Sequence, residues 1–258
     1  MLASVYNDGG SLVTRNHKVL RGFLPEFYID RTPLITVRRT AWRKAIKEYE
    51  WFLSGCGKPC PPELLDWWDG QLSPEGRYIN GYGDQLRNEH DQIEALIHGL
   101  ANHPNSRRHI LTTWSASDMY WITRDNENER TPTTCHGSFV QFFVSEGVLS
   151  MYHYQRSADL LLGLPHNLMQ YWALLLYLSH RANLTPGGIT YKLGDAHIYD
   201  HPSHTDLVKK MIAESVVYDF DGELQYNPPE GVYEFRAEDF TLEGTVPSPY
   251  VTGRPELF

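Results

Sequence analysis

The chain has 258 residues, 41% hydrophobic, 13% aromatic and 21% charged, which is ample for a core and argues against disorder. A net charge of −9 excludes a broad nucleic-acid-binding surface, which would need clustered Lys and Arg, yet leaves room for a small anion held by a few arginines. Three cysteines make no disulfide framework, no apolar run is long enough for a membrane span, and the N-terminus carries no secretory signal; a reducing cytoplasm is expected, with no nucleic-acid or membrane partner.

No repeat, low-complexity tract or linker divides the sequence, so one domain over residues 1–258 is expected. Helical spacing of Trp42, Ala45, Ile46, Tyr49, Phe52 and Leu53 predicts a helix over residues 40–54, ended by Gly55. Turns dominate residues 56–80, where Cys56, Pro59, Cys60, Pro61, Pro62, Gly70, Pro74 and Gly76 fall. Ile93, Leu96, Ile97 and Leu100 form one stripe and predict a second helix over residues 90–102. Residues 109–114 suit a strand, and residues 138–144 and 148–156 suit a hairpin joined through Ser145-Glu146-Gly147. Pro165 then opens a helix to residue 182 that is apolar on too many sides for a surface helix. Strand-like segments recur near 188–193, 217–219 and 232–236. The pattern is α+β, with one sheet packed against buried helices.

Several residues carry chemistry, each with a plainer alternative. Cys135 stands beside His136 with Arg156 downstream, and nearby positive charge lowers a thiol's pKa towards the reactive thiolate. The alternative is a buried, inert thiol. Arg156-Ser157 and Ser106-Arg107-Arg108 offer bidentate cations and hydroxyls for a phosphate, or are solvated ion-pairing groups. Asn167 at a helix start can donate and accept towards a base edge, or cap the helix. Glu48, on an otherwise apolar helix, is a candidate buried carboxyl with a raised pKa, or lies on the polar edge. The His197, His201 and His204 run and the Cys56/Cys60 pair lack a second ligand pair at zinc-like spacing, so no metal is expected.

The segment Tyr154-Gln155-Arg156-Ser157-Ala158-Asp159-Leu160-Leu161-Leu162-Gly163-Leu164-Pro165-His166-Asn167 resembles the YQRSxDxxLGxPFN signature of the thymidylate synthase superfamily. Cys135-His136, Ser106-Arg107-Arg108, Gly194-Asp195-Ala196-His197-Ile198-Tyr199, Glu48 with Trp51-Phe52-Leu53, and Gly81-Tyr82-Gly83 support it in order. The resemblance implies a single thymidylate-synthase-like α+β domain, its mixed sheet packed on a buried central helix and forming a homodimer interface. It implies that Cys135 attacks C6 of a pyrimidine deoxynucleoside monophosphate, after which C5 takes a one-carbon unit from 5,10-methylenetetrahydrofolate as cosubstrate. Arg156 and Ser157, beside Gln155, would hold the 5′-phosphate end, and Arg107 and Arg108 would reach the partner subunit's phosphate. Asn167 would read N3 and O4, and His197 and Tyr199 the sugar 3′-hydroxyl. Glu48, Tyr82 and His136 would serve proton transfer. Asp159, Gly163 and a tryptophan of the Trp67-Trp68 pair, with Trp68 preferred, would contact the folate.

The departures bear on the product. The family's N-terminal Asp-Arg-Thr-Gly phosphate loop is not evident, with Arg15 the substitute on offer. Thr134 replaces a proline, Ser115 an asparagine after Trp114, His166 a phenylalanine, and Ser248 the histidine of a C-terminal Pro-His-Pro; Thr245-Val246 stands where a tyrosine is expected. Closing segments decide whether the methylene on C5 is reduced by hydride or meets water. The altered segments resemble the nucleotide hydroxymethylases of viruses that modify their DNA, which would place the enzyme in a host cytoplasm and make it bacteriophage-like. Asn167 favours uracil, so hydroxymethylation of dUMP is the expected reaction, with thymidylate synthase the alternative and dCMP hydroxymethylase behind it. A catalytically silent nucleotide-binding homologue would bind dUMP without exchanging its C5 proton.

Overall fold

A computed structural model describes residues 2–14, 17–22, 26–55, 58–68, 70–78, 81–87, 90–114, 138–214 and 220–245. The chain opens with a short helix, α1 (Leu2–Asp8), and strands β1 (Gly10–Thr14), β2 (His17–Gly22) and β3 (Phe27–Ile29). Helix α2 (Trp42–Leu53) follows, ending two residues before Gly55, whose φ of 96° is the left-handed conformation that glycine adopts without strain. A single 3₁₀ turn (Pro62–Leu64) and helix α3 (Leu65–Trp68) break the region of turns. Helices α4 (Tyr82–Arg87) and α5 (Gln92–Asn102) come next; Asp91 caps α5 by accepting from the Glu94 amide at 3.0 Å. Strand β4 (Ile110–Thr112) leads to the hairpin β5 (Phe139–Ser145) and β6 (Val148–Asp159). Glu146 and Gly147 at φ 52° and 78° form its tight turn, the positive-φ pair whose twist matches a hairpin.

Helix α6 (Gly163–Arg181) connects β6 to the long strand β7 (Thr185–Tyr199), followed by α7 (Pro202–Ala213), β8 (Glu223–Tyr226) and β9 (Phe240–Glu243). Seven strands form one mixed sheet in the order β1-β2-β7-β6-β5-β4, with β3 also paired to β7. Among the described residues only β6 and β7 run parallel in it, as a strand–helix–strand crossover requires, and β8 and β9 form a separate antiparallel pair. The α+β class and the mixed sheet on a buried helix are as the sequence implies.

Helix α6 is buried almost all round: Met169, Ala173, Leu174, Leu175, Tyr177 and Leu178 are fully enclosed between α2 and the inner face of β6 and β7. Each of its large aliphatic side chains contributes roughly 2 kcal/mol by leaving water. Helices α1 and α7 pack at the β2–β7 end of the sheet, and among the described residues no helix covers the opposite face of β4, β5 and the first part of β6. Ile110, Phe139, Phe143, Tyr152 and Tyr154 share that face through their cross-strand registers.

Two expectations need adjustment, and a third falls outside the described residues. The strand expected at 232–236 is absent: Phe235 packs against Tyr49, Tyr177 and Phe240, and the Tyr233 carbonyl is bound by side chains of Tyr177 and Arg181 instead of a strand ladder. The segment expected at 188–193 is longer at both ends, because parallel pairing with β6 continues from Val148↔Thr185 to Asp159↔His197. The segment at 217–219 lies outside the described residues.

Candidate active site

A cleft of about 610 Å³ opens where the C-terminal end of β6, the first turn of α6 and the helices α2 and α3 meet. Its walls include Glu48, Trp67, Trp68, Tyr82, Gln155, Arg156, Ser157, Asp159, Gly163, His166, Asn167, His197 and Tyr199. Residues scattered over 150 positions in sequence meet here because β6 delivers 155–159, its parallel neighbour β7 delivers 197 and 199, and α2 crosses α6.

The deepest part is a directional chain of hydrogen bonds. Tyr191 Oη donates to Gln155 Oε1, and Gln155 Nε2 donates to the Ser157 carbonyl at 2.9 Å and to Asn167 Oδ1 at 3.2 Å. Asn167 Nδ2 donates to Gln170 Oε1 at 3.2 Å, and Gln170 Nε2 donates to Glu48 Oε2 at 2.6 Å and to the Ala45 carbonyl at 3.2 Å. Backbone carbonyls only accept, so Ser157 and Ala45 fix which end of each glutamine is the donor. Asn167 therefore has one orientation that satisfies both neighbours, oxygen towards Gln155 and nitrogen towards Gln170. Its remaining lone pair and proton offer an acceptor beside a donor.

Glu48 is buried, not on a polar edge, and Trp68 Nε1 donates to its Oε1 at 2.6 Å. Burial raises its pKa to about 7, against the opposing pull of the Trp68 and Gln170 hydrogen bonds and of Lys44. Tyr82 stacks on Phe52 with ring centroids 4.2 Å apart and lines the same cleft. Cys135 and His136 lie outside the described residues, as does Arg15. Ser138 stands just before β5, and its amide and carbonyl pair with Thr113 Oγ1 and the Thr113 amide, each at 3.0 Å.

At the other end of the cleft, the inside–outside alternation of β6 breaks at Arg156 and Ser157, and both side chains reach the cavity. The Arg156 guanidinium sits 5.5 Å from the Trp114 ring, and an arginine beside a hydroxyl suits a phosphate. His197 and Tyr199 lie two apart on β7 and so face the same side; His197 Nδ1 is 3.4 Å from Asp195, itself paired with Arg21 at 2.8 Å. Asp159 Oδ1 accepts the amides of Leu161 and Leu162 at 2.8 and 3.1 Å, which shapes the turn into α6. An added Cβ at Gly163 would meet Asn167 Oδ1 at 3.5 Å, an ordinary contact, so the chain's own packing does not demand glycine there.

The two tryptophans have different places. Trp68 is enclosed by Trp51, Phe52 and Tyr78 and holds Glu48, whereas Trp67 lies against the His166 ring at 4.6 Å with the Lys44 ammonium 4.7 Å over its other side. Trp67, Trp68 and His166 make a wall suited to a flat heteroaromatic ring, and Arg38, Arg39 and Lys44 suit an anionic tail. These donors and surfaces fit a folate. Arg107 and Arg108 are exposed and stand apart from this cleft; Arg108 borders a second cavity of about 520 Å³ beside α5. His201 caps α7 through the Ser203 amide, and His204 is buried against Tyr199, so both imidazoles have structural positions. Among the described residues no group of three or more His, Cys, Asp or Glu is placed to hold a metal ion, and no helix is long and apolar enough to cross a membrane.

Sequence reasoning missed Gln170, Tyr191, Arg38 and Lys44. Gln170 had a signal, a lone amide among apolar residues three positions after Asn167, and so did Tyr191, in a strand of alternating burial. The two cations had none, because they reach the cleft from before and within α2.

A sequence model described as thymidylate synthase matches residues 14–255. The match spans every element that builds the cleft, from β2 through β9. On that match and this fold the chain belongs to the thymidylate synthase family, and is a folate-dependent enzyme that uses methylenetetrahydrofolate to transfer a one-carbon unit to C5 of a pyrimidine nucleotide.

Proposed function

We propose that the enzyme hydroxymethylates dUMP. Cys135 attacks C6; Arg156 and Ser157 hold the 5′-phosphate; His197 and Tyr199 take the 3′-hydroxyl; Glu48, Tyr82 and His136 move the proton at the base. Asp159, Gly163 and the Trp67–Trp68 wall receive the folate, which supplies the one-carbon unit. All of this is carried out by one catalytic domain. The observation that carries the uracil reading is the Asn167 amide, whose oxygen and nitrogen are fixed by Gln155 and Gln170. In that orientation its free acceptor and donor match N3–H and O4 of uracil, whereas cytosine would need the reverse. The product reading is supported by the sequence, in which His166 brings a polar ring into the cavity wall and Pro247-Ser248-Pro249 alters the closing segment.

Thymidylate synthase is the second reading, favoured by a family match that continues to residue 255 and so includes the closing segment. Incubation with dUMP and methylenetetrahydrofolate separates them. Tetrahydrofolate with a 5-hydroxymethyl product supports the proposal; dihydrofolate with a methylated product replaces it by the synthase reading, and turnover of dCMP in preference to dUMP overturns the base assignment. A Cys135→Ser variant should show no turnover, and full activity in it would sink the covalent mechanism.

The enzyme is further proposed to act as a homodimer in which Arg107 and Arg108 complete the partner's phosphate site. The uncovered sheet face supports this, since Phe139 and Phe143 are 40% and 47% exposed on it beside Ile110 and Tyr154.

A further inference from the structure

His166 occupies the wall of the cleft on the first turn of α6, one residue before the base-reading Asn167. Its Nδ1 lies 2.8 Å from the Leu162 carbonyl oxygen. A carbonyl can only accept, so the proton of the neutral ring is on Nδ1 and Nε2 is left as a bare lone pair. The ring stays neutral: burial pushes its pKa down to about 4, the Leu162 hydrogen bond opposes this, and the charges of Arg38 and Lys44 add to it. Among the described residues Nε2 has no hydrogen-bond partner, and the half-buried ring lies tilted by 43° against Trp67 and lines the cavity. The neighbouring polar side chains already hold partners. Glu48 is bound by Trp68 and Gln170, and Asn167 by Gln155 and Gln170. His166 Nε2 is thus an acceptor without a partner among the described residues, on the cleft wall one position before Asn167.

We propose that His166 Nε2 holds the water that adds to the one-carbon unit on C5. This rests on the hydroxymethylase reading. The water donates one hydrogen to Nε2, which turns an oxygen lone pair towards the electrophilic methylene. As the new C–O bond forms, the methylene π pair moves through C5–C4 onto O4 and the water proton passes to Nε2. Collapse of that enolate expels the Cys135 thiolate from C6 and restores the C5–C6 double bond, and Nε2 returns its proton to solvent. A weakly basic imidazole suffices, because the oxygen becomes strongly acidic only as it bonds to carbon.

The test separates water addition from the earlier covalent steps by measuring two rates on the same enzyme: tritium release from C5 of labelled dUMP, and 5-hydroxymethyl product. His166→Phe keeps an aromatic ring against Trp67 but has no acceptor. His166→Asn can keep the Leu162 tether without reaching the Nε2 position, and His166→Gln can reach that position with its carbonyl oxygen. Product formed per tritium released should fall about tenfold or more in the Phe and Asn variants and stay within about threefold in the Gln variant. An unchanged ratio in His166→Phe, or a parallel loss of both rates, overturns the proposal. If the wild-type enzyme makes only methylated product, the hydroxymethylase reading itself fails, and that is seen before any variant is made.

Discussion

Glu48 is held between opposing demands. Its place on the buried side of α2 disfavours charge, while Trp68 and Gln170 aim one donor at each of its oxygens. Burial wins, and the resulting pKa of about 7 lets the group give or take a proton near neutrality with little driving-force penalty. The same shift has a stability consequence. The folded-state value lies above the unfolded one, so the folded protein binds the extra proton. Stability from this group is fully present below the ordinary carboxylate range and is lost as pH rises through about 7, by roughly 3 kcal/mol. Glu48→Gln should lower C5 tritium exchange by about a hundredfold or more and remove the limb near pH 7 from its rate profile. A variant profile that keeps that limb would assign it to another group.

At the scale of elements, α6 does two jobs with one face each turn. Its apolar residues fill the core, and its first turns present His166, Asn167 and Gln170 to the cleft and its hydrogen-bond chain. Gln170 is the link that ties Asn167 to α2, through Ala45 and Glu48. Gln170→Leu keeps the helix and much of the volume but frees one side of Asn167. The ratio of kcat/KM for dUMP over dCMP should fall about tenfold, the scale of one lost buried hydrogen bond. Equal losses on both nucleotides would mean that Gln170 only supports packing. The existence of α2, α5, α6 and the hairpin was legible because each has a clear period or turn: Gly147 at the hairpin, the Ile93, Leu96, Ile97 and Leu100 stripe of α5, the apolar run of α6. Strand β7 was legible only in its middle. Pro186-Gly187-Gly188 and Gly194-Asp195 read locally as turns, and it is the register with β6 that holds them extended. The site divided in the same way. Residues inside the 154–167 signature could be read together, whereas the contact of Gln170 with Ala45 joins positions 125 apart and leaves no local spacing to find.

For the whole molecule, the β4–β5–β6 face left uncovered among the described residues and the place of Arg107 and Arg108 outside the cleft are complementary facts. A second copy laid on that face would bury the exposed aromatics and bring in the missing arginines. Phe143→Asp should leave a monomer in sedimentation and cost most of the activity, because a carboxylate would be trapped in the interface. Mixing a Cys135→Ser chain with an Arg107→Ala/Arg108→Ala chain should recover roughly a quarter of wild-type activity, since half the dimers are hybrids with one intact site. No recovery after demonstrated subunit exchange would place both arginines in their own chain's function.

Strand β7 also imposes an order of assembly. Its N-terminal half is the neighbour of β3 and its C-terminal end the neighbour of β2, with registers such as Ile29↔Ile189 and Leu20↔Ile198. Strands made among the first thirty residues therefore have no place in the sheet until the chain has been synthesised past residue 199. The β5–β6 hairpin and α6 can form while those strands wait, and the waiting strands are where a nascent or truncated chain is open to pairing with another copy.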